Sequence, residues 1–263
     1  MSSAIALRES WKAGKPVFGV WAALACPFAV ELMSLPGVAY LCVDQQHGVI
    51  DYADAVNMMM AAQARGVAPL TRVPANESWM IAKALDAGAQ GVIVPLVNNA
   101  DEARAAVQAC RYPPQGVRSF GPIRAAVVTG RDQKALGEGV LCFVMVETRE
   151  GLANIEAIAA TPGLDGIYVG PADLALGLGL PPDLDKTEPE HAAAVAAILD
   201  ACRRNGIIAG IQCGSGKSAH AYAKQGFGLV TFTKDSAVLQ AGVRNELRAA
   251  LGQADGAGKQ GYT

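Results

Sequence analysis

Eight short apolar runs, rich in β-branched residues and closed by Gly, Pro or polar residues, recur along the chain: Val17–Ala22, Ala39–Val43, Ala68–Arg72, Gly91–Pro95, Leu141–Glu147, Gly166–Gly170, Ile207–Ile211 and Leu229–Thr233. Their apolar residues run on instead of alternating with polar ones, which is the pattern of strands buried on both faces. Between them stand segments with helical apolar spacing, such as DYADAVNMMMAAQARG, NESWMIAKALDAG, ADEARAAVQACR, GLANIEAIAATPG and PEHAAAVAAILDACRRNG. Some begin at Asp or Asn, whose side chains cap free N–H groups, and several end in Gly, which suits a helix C-terminus. Such alternation demands a parallel sheet covered by helices. Eight units predict a closed (β/α)8 TIM barrel, one α/β domain over residues 1–252 with a flexible tail over 253–263. An open doubly wound sheet is the alternative, weakened because no G-x-G-x-x-G follows the first strand. Arg111–Glu138 is long for one connection and is expected to form a loop with a short helix over the barrel mouth.

Composition narrows the function. A net charge of −2, with no basic run and no aromatic-basic interleaving, argues against an extended nucleic-acid footprint. The apolar stretch VFGVWAALACPFAVELM carries a Pro and a Glu and is too short to span a bilayer, and MSSAIALRES lacks the pattern of a secretory signal. Six cysteines are scattered without a C-x-x-C pair, as expected of reduced core thiols in a cytoplasmic protein.

In a barrel of this kind chemistry gathers at the C-terminal ends of the strands. There the sequence places Asp44 and His47 after the second strand, Arg72 at the end of the third, Glu147 at the end of the fifth and Gly170-Pro171-Ala172-Asp173 after the sixth. Singly, Asp44 could cap a helix, Arg72 could close a structural ion pair and Asp173 could be an N-cap; together, five ionisable groups at one end point to a site. Glu147 and Asp173, on neighbouring strands, form a two-carboxylate oxygen site suited to Mg²⁺, with Mn²⁺ or Co²⁺ as substitutes. A 2-oxo acid chelated there would have more acidic methyl protons. His47 would then act as base, directly or through a water, with Asp44 orienting its ring, and Arg72 would hold the enolate oxygen. Trp21, ending the first strand, reads as a pocket wall, whereas His191 and His220 read as surface or packing residues.

At these residues the chain resembles the HpcH/HpaI family of metal-dependent class II aldolases. The likeness runs from about Gly19 to Asp235 and is most specific at VDQQHG, VPLVNNADEARAAVQACRYPPQGVRSFGP and VETREGLANIEAIAATPGLDGIYVGPADLALGLG. The resemblance implies that Glu147 and Asp173 bind the divalent metal, that the turn Gly170–Asp173 receives the 2-oxo acid carboxylate on backbone N–H groups, and that Arg72 and the Asp44–His47 pair perform the catalysis. It also implies Asp86 as a helper near the site, and a homohexamer with helix exchange between subunits. The family often carries Gln two residues before the metal Glu, where this chain has Met145, and an acidic residue before the His, where it has Gln46.

The expected activity is therefore reversible cleavage of a 4-hydroxy-2-oxo acid to pyruvate, or a related 2-oxo acid such as hydroxypyruvate, and an aldehyde. A citramalyl- or malyl-CoA-type lyase is disfavoured because no basic cluster for CoA phosphates is evident. A non-catalytic 2-oxo-acid-binding barrel would need neither His47 nor Arg72. One further stretch, IQCGSGKS after the seventh strand, imitates the phosphate loop G-x-x-x-x-G-K-[ST], but Ile211 stands where the first Gly is required. Gly214, Ser215 and Lys217 are expected instead to contact the distal end of the aldehyde, since loops at this barrel face frequently bind anions.

Overall fold

The computed structural model describes residues 3–253, so the expected tail lies, apart from Gln253, outside the described residues. Strands β1 (Val17–Ala22), β2 (Tyr40–Asp44), β3 (Ala68–Arg72), β4 (Gly91–Val94), β5 (Leu141–Met145), β6 (Gly166–Val169), β7 (Ile208–Gln212) and β8 (Leu229–Lys234) form a closed barrel in sequence order. Every neighbouring pair is parallel, β8 returning to β1. The (β/α)8 barrel read from the sequence is the observed fold.

The helices run in chain order as α1 (Ala4–Lys12), α2 (Pro27–Met33), α3 (Tyr52–Ala64), α4 (Ser78–Asp86), α5 (Ala100–Cys110), α6 (Ala125–Thr129), α7 (Gln133–Glu138), α8 (Arg149–Ala153), α9 (Ile155–Ala159), α10 (Pro171–Gly177), α11 (Pro189–Asn205), α12 (Gly216–Gln225) and α13 (Asp235–Ala250). The capping residues behave as their chemistry requires. Asp51 caps α3 in a reciprocal box with Asp54, and Asn99 caps α5 through the Glu102 N–H. The segment GLANIEAIAATPG is two helices, because Asn154 interrupts it and donates its side-chain amide to the Asn98 carbonyl at 2.8 Å. None of these helices is long and apolar enough to cross a membrane.

Two apolar layers result. Inside the barrel, Val17, Leu70, Ile93, Leu141, Phe143 and Leu229 pack around Tyr40 and Tyr168. Both tyrosine hydroxyls meet Thr231 Oγ1 at 2.7 Å, which satisfies three buried polar groups at once. Between strands and helices lies a larger aliphatic layer that includes Val20, Val43, Val92, Val144, Ile167 and Val230. Helix α1 closes the N-terminal end of the barrel, with Leu7 buried and the Trp11 indole donating to the Gly228 carbonyl at 2.8 Å.

β8 carries an irregularity. Gly19 of β1 pairs with Thr231, but Val20 pairs with Thr233 and Trp21 with Lys234, so Phe232 is an extra residue. Phe232 packs outward on the aliphatic layer. The inserted residue reverses the inward and outward alternation, and Lys234, not Thr233, shares the face of Trp21.

The segment Arg111–Glu138 does not cover the barrel mouth. It leads from the end of α5 to the start of β5 and therefore lies at the opposite end, where α6 and α7 stand. Arg124 N–H donates to the Asp86 carbonyl at 3.1 Å, and Arg8 of α1 donates to the Glu138 carbonyl at 3.1 Å. Direction decides this: helices run antiparallel to the strands they cover, so helix-to-strand connections gather at the strand N-termini. Helix α13 buries only Asp235, leaving Val238, Leu239, Val243 and Leu247 exposed. All six cysteines are free, and five of them are buried.

Candidate active site

At the C-terminal end of the strands a cavity of about 390 Å³ is lined by Trp21, Asp44, His47, Arg72, Met145 and Asp173, among others. Asp44 ends β2 and Arg72 ends β3, in register, so their side chains meet across one strand spacing. Arg72 Nε donates to Asp44 Oδ1 at 2.9 Å and its Nη2 to Oδ2 at 2.6 Å, a two-pronged pair with both side chains under a tenth exposed. Burial works to raise the Asp44 carboxyl, but the Arg72 hydrogen bonds and charge overcome it and hold the group below its ordinary value. The Arg72 guanidinium also lies over the Trp21 ring at 5.2 Å, and Trp21 leans on Tyr168 at 5.4 Å.

The role expected of Asp44 is to orient the His47 ring. In the structure Asp44 Oδ1 accepts the backbone N–H groups of Gln46 at 3.1 Å and His47 at 3.3 Å, while its remaining capacity goes to Arg72. His47 sits on the turn after β2 with its ring exposed in the cavity, and among the described residues that ring has no hydrogen-bond partner. Asp44 thus shapes the turn and not the tautomer.

Glu147 follows β5 and is 3% exposed. Its Oε2 accepts the Leu96 N–H at 3.1 Å, and its Oε1 is buried with no partner. Leu96 adopts φ 55°, the left-handed region that a branched side chain avoids, so the contact holds strained backbone. Burial, reinforced by the charge of Asp173, pushes the Glu147 carboxyl up to about 7. Asp173 lies in the first turn of α10, whose cap is Gly170 with Pro171 next. A Cβ on Gly170 would stand 2.7 Å from Glu147 Oε1 and 2.8 Å from the Met145 terminal methyl, so any larger residue there displaces the carboxylate or the methyl. Met145 therefore faces the same side as Glu147.

An orphaned buried carboxylate oxygen next to a second carboxylate fits a hard divalent cation, which would supply the missing partner and relieve the repulsion. Among the described residues no group of three or more His, Cys, Asp or Glu could hold a metal. Water and substrate oxygens would complete the shell around Glu147 and Asp173.

Other expected residues fall elsewhere. Asp86 ends α4 at the far end of the barrel and is paired with Arg118 at 2.6 Å; within one chain it is not brought to His47. Gly214 and Ser215 do not line the cavity, since Gly214 N–H donates to Asp185 Oδ1 at 3.1 Å and Ser215 caps α12 in a box with Ser218. Lys217 is exposed on α12. Their backbone and hydroxyl groups are already used in building the loop. Leu184, Gln212 and Lys234 line the wall instead. His191, expected as a packing residue, is 1% exposed and its Nε2 meets the Pro171 carbonyl at 3.0 Å, steadying the α10 turn; His220 is exposed.

A barrel with a buried Glu–Asp pair facing an exposed histidine across its mouth has the form of a carbon–carbon lyase, and comparison with known proteins agrees. The profile of the HpcH/HpaI aldolase/citrate lyase family matches residues 17–240. The chain belongs to this family. It is 38% identical over 239 residues to a hydroxypyruvate/pyruvate aldolase of Rhizorhabdus wittichii, covering 90% of this chain and 95% of that protein. It is 33% identical to a 4-hydroxy-2-oxo-heptane-1,7-dioate aldolase of Salmonella paratyphi A, covering 90% and 91%. The crystal structure of an HpcH/HpaI aldolase/citrate lyase family protein from Burkholderia cenocepacia superposes with a TM-score of 0.86 at 33% identity, covering 94% of this chain and 99% of that one. The protein is a lyase of the class II aldolase type, and enzymes of this family are generally divalent-metal dependent.

Proposed function

We propose that the enzyme reversibly cleaves a 4-hydroxy-2-oxo acid to pyruvate, or to a related 2-oxo acid such as hydroxypyruvate, and an aldehyde, at the cavity between Glu147, Asp173 and His47. The observation that carries the reading is Glu147 Oε1, buried and unpartnered beside Asp173, in a site whose other wall presents an exposed imidazole. Glu147 and Asp173 would hold Mg²⁺, Mn²⁺ or Co²⁺, which when bound supplies Lewis-acid polarisation of the 2-oxo acid.

The chain's own groups account for the remaining work. The N–H groups of Ala172 and Asp173 open α10 without intrahelical acceptors and receive the substrate carboxylate, while Gly170 leaves the space and Pro171 fixes the turn. Trp21 walls the cavity and, with Asp44, fixes the Arg72 plane, so the guanidinium lies ready for the oxygen on which enolate charge develops. In the condensation direction His47 takes a proton from C3 of the 2-oxo acid, C3 bonds to the aldehyde carbon, and the new alkoxide recovers a proton. Cleavage runs the same steps backwards: the 4-hydroxyl proton leaves, the C3–C4 bond breaks, and His47 returns a proton to C3. An imidazole is chemically suited to both taking and returning this proton. For assembly, the exposed apolar face of α13 supports exchange of this helix between subunits of a hexamer.

Exchange of pyruvate methyl protons with deuterated water tests the reading, because it needs the enolate but no aldehyde. The wild-type enzyme loaded with Mg²⁺ or Mn²⁺ should catalyse it, and His47→Ala should slow it by about 10²–10⁴. Absence of exchange in the wild type, or equal rates in the variant, would sink the proposal.

A further inference from the structure

Leu96, in the loop between β4 and α5, holds φ 55° although its side chain is 52% exposed and packing does little to impose that conformation. A branched residue left to itself relaxes to negative φ. Relaxation would swing the Leu96 N–H away from Glu147 Oε2, so another group must hold the loop.

That group is Asn98. Its Nδ2 donates to the Leu96 carbonyl at 3.1 Å, and its Oδ1 accepts the hydroxyl of Thr148, the residue after Glu147. Chemistry fixes which end of the amide faces which partner. The Leu96 carbonyl can only accept, and the Thr148 hydroxyl, which takes the Gly151 N–H at 3.0 Å, has its own hydrogen to give. One amide thus spans the backbones on both sides of the Leu96–Glu147 hydrogen bond. Asn98 is itself a fixed post: its N–H donates to Glu102 Oε2 at 2.7 Å, and its carbonyl accepts the Asn154 side chain at 2.8 Å. Between Leu96 and Asn98, Val97 is buried and donates its N–H to the Met145 carbonyl at 3.0 Å. No step of the reaction uses the Asn98 amide.

We infer that Asn98 is a positioning residue for Glu147: by locking Leu96 it keeps Oε2 occupied, so that Glu147 presents one oxygen, Oε1, to a divalent cation. This rests on the cation site proposed at Glu147 and Asp173. A carboxylate with both oxygens free could grip a cation with both, a mode that Ca²⁺ accepts in its flexible shell of about six to eight oxygens. Mg²⁺ demands a near-octahedral shell, and Mn²⁺ takes the same oxygen ligands. One-oxygen binding therefore leaves positions for water and the 2-oxo acid and favours Mn²⁺ over Ca²⁺.

Calorimetric titration with Mn²⁺ and with Ca²⁺ tests this on Asn98→Ala, Asn98→Asp and Asn98→Ala combined with Leu96→Gly, with thermal melts to verify folding. Losing the amide should weaken Mn²⁺ binding about five- to tenfold, as for loss of one hydrogen bond, and narrow the preference for Mn²⁺ over Ca²⁺ by a similar factor. Asn98→Asp keeps the Thr148 contact but sets a carboxylate oxygen against the Leu96 carbonyl. It should show the same loss, and it carries the test if Asn98→Ala does not fold. Glycine adopts positive φ without strain, so adding Leu96→Gly to Asn98→Ala should return Mn²⁺ affinity to within about threefold of wild type. A fall in Tm with Mn²⁺ affinity and the Mn²⁺-to-Ca²⁺ ratio unmoved, as a merely structural role would give, overturns the inference, and so does a double variant as weak as Asn98→Ala. Glu147→Ala separates the two failures. Mn²⁺ binding that depends on Glu147 but not on Asn98 removes only the positioning role, whereas Mn²⁺ binding indifferent to Glu147→Ala removes the cation site beneath it.

Discussion

Glu147→Gln separates charge from shape at the carboxylate pair. Without metal, the Glu147 carboxyl is pushed from 4.5 to about 7 by burial and by Asp173. At about 1.36 kcal/mol for each tenfold in proton affinity, this costs the ionised folded protein about 3 kcal/mol. The folded state holds this proton more tightly than the unfolded chain. Its contribution is therefore most favourable below the ordinary carboxylate range, declines as pH rises from about 4, and levels off above about 7. Glutamine keeps the volume and cannot ionise. Thermal melts in EDTA should find the variant close to wild type at pH 5 and about 3 kcal/mol more stable at pH 8.5. For a chain of this length that is about 6 °C in Tm, at roughly 2 °C per kcal/mol. Adding Mn²⁺ should raise the wild-type Tm at pH 8.5 and leave the variant nearly unmoved. Equal Tm values in EDTA at pH 8.5, or an equal response to Mn²⁺, would refute the argument that two mutually repelling carboxylates make a cation site here.

Arg72→Leu leaves Asp44 buried without its partner and should cost about 3–5 kcal/mol in urea unfolding, with Arg72→Lys intermediate because a point charge cannot make the two-pronged pair. A denaturation midpoint unchanged in Arg72→Leu would show that the pair is not what holds the β2 and β3 ends together. Gly170→Ala puts a carbon 2.7 Å from Glu147 Oε1, so its Mn²⁺ affinity by calorimetry should fall at least tenfold; wild-type affinity would contradict the packing argument. Val243→Asp with Leu247→Asp should shift the mass found by light scattering towards the monomer, and an unchanged mass would remove α13 from the assembly interface.

The barrel was legible because eight β-branched runs and their intervening amphipathic segments are local patterns, and their ends fell within about two residues of the observed strands. The gathering of Asp44, His47, Arg72, Glu147 and Asp173 at one rim followed from that topology, since all five lie just at or beyond strand C-termini. What failed was long-range or polar bookkeeping. The expectation that Arg111–Glu138 covers the mouth fails because a helix-to-strand connection must lie at the other end of the barrel. Asp44 was paired with the imidazole because three residues separate them, yet Arg72, 28 residues away, claims both of its oxygens. Gly214 and Ser215 looked available until Asp185, which no spacing rule connects to them, took their donors. Lys234 was hidden by the extra residue in β8: alternation counted along β8 alone points it away from the cavity, and only pairing with β1 reveals the change of phase.

Crowding around Glu147 has a consequence for how such an enzyme can change. A Cβ at Gly170 would strike the carboxylate, and one at Gly177 would strike the Glu147 backbone carbonyl, so this side of the rim has no room for a new side chain. The opposite side is built from Leu184, Gln212 and Lys234, whose side chains line the cavity and could be exchanged without moving the backbone that holds the carboxylates. The rim is thus divided into a crowded sector around Glu147 and a sector whose side chains can be exchanged. A randomised library confined to those three positions should yield altered aldehyde selectivity far more often than one spread over the β5 and β6 loops.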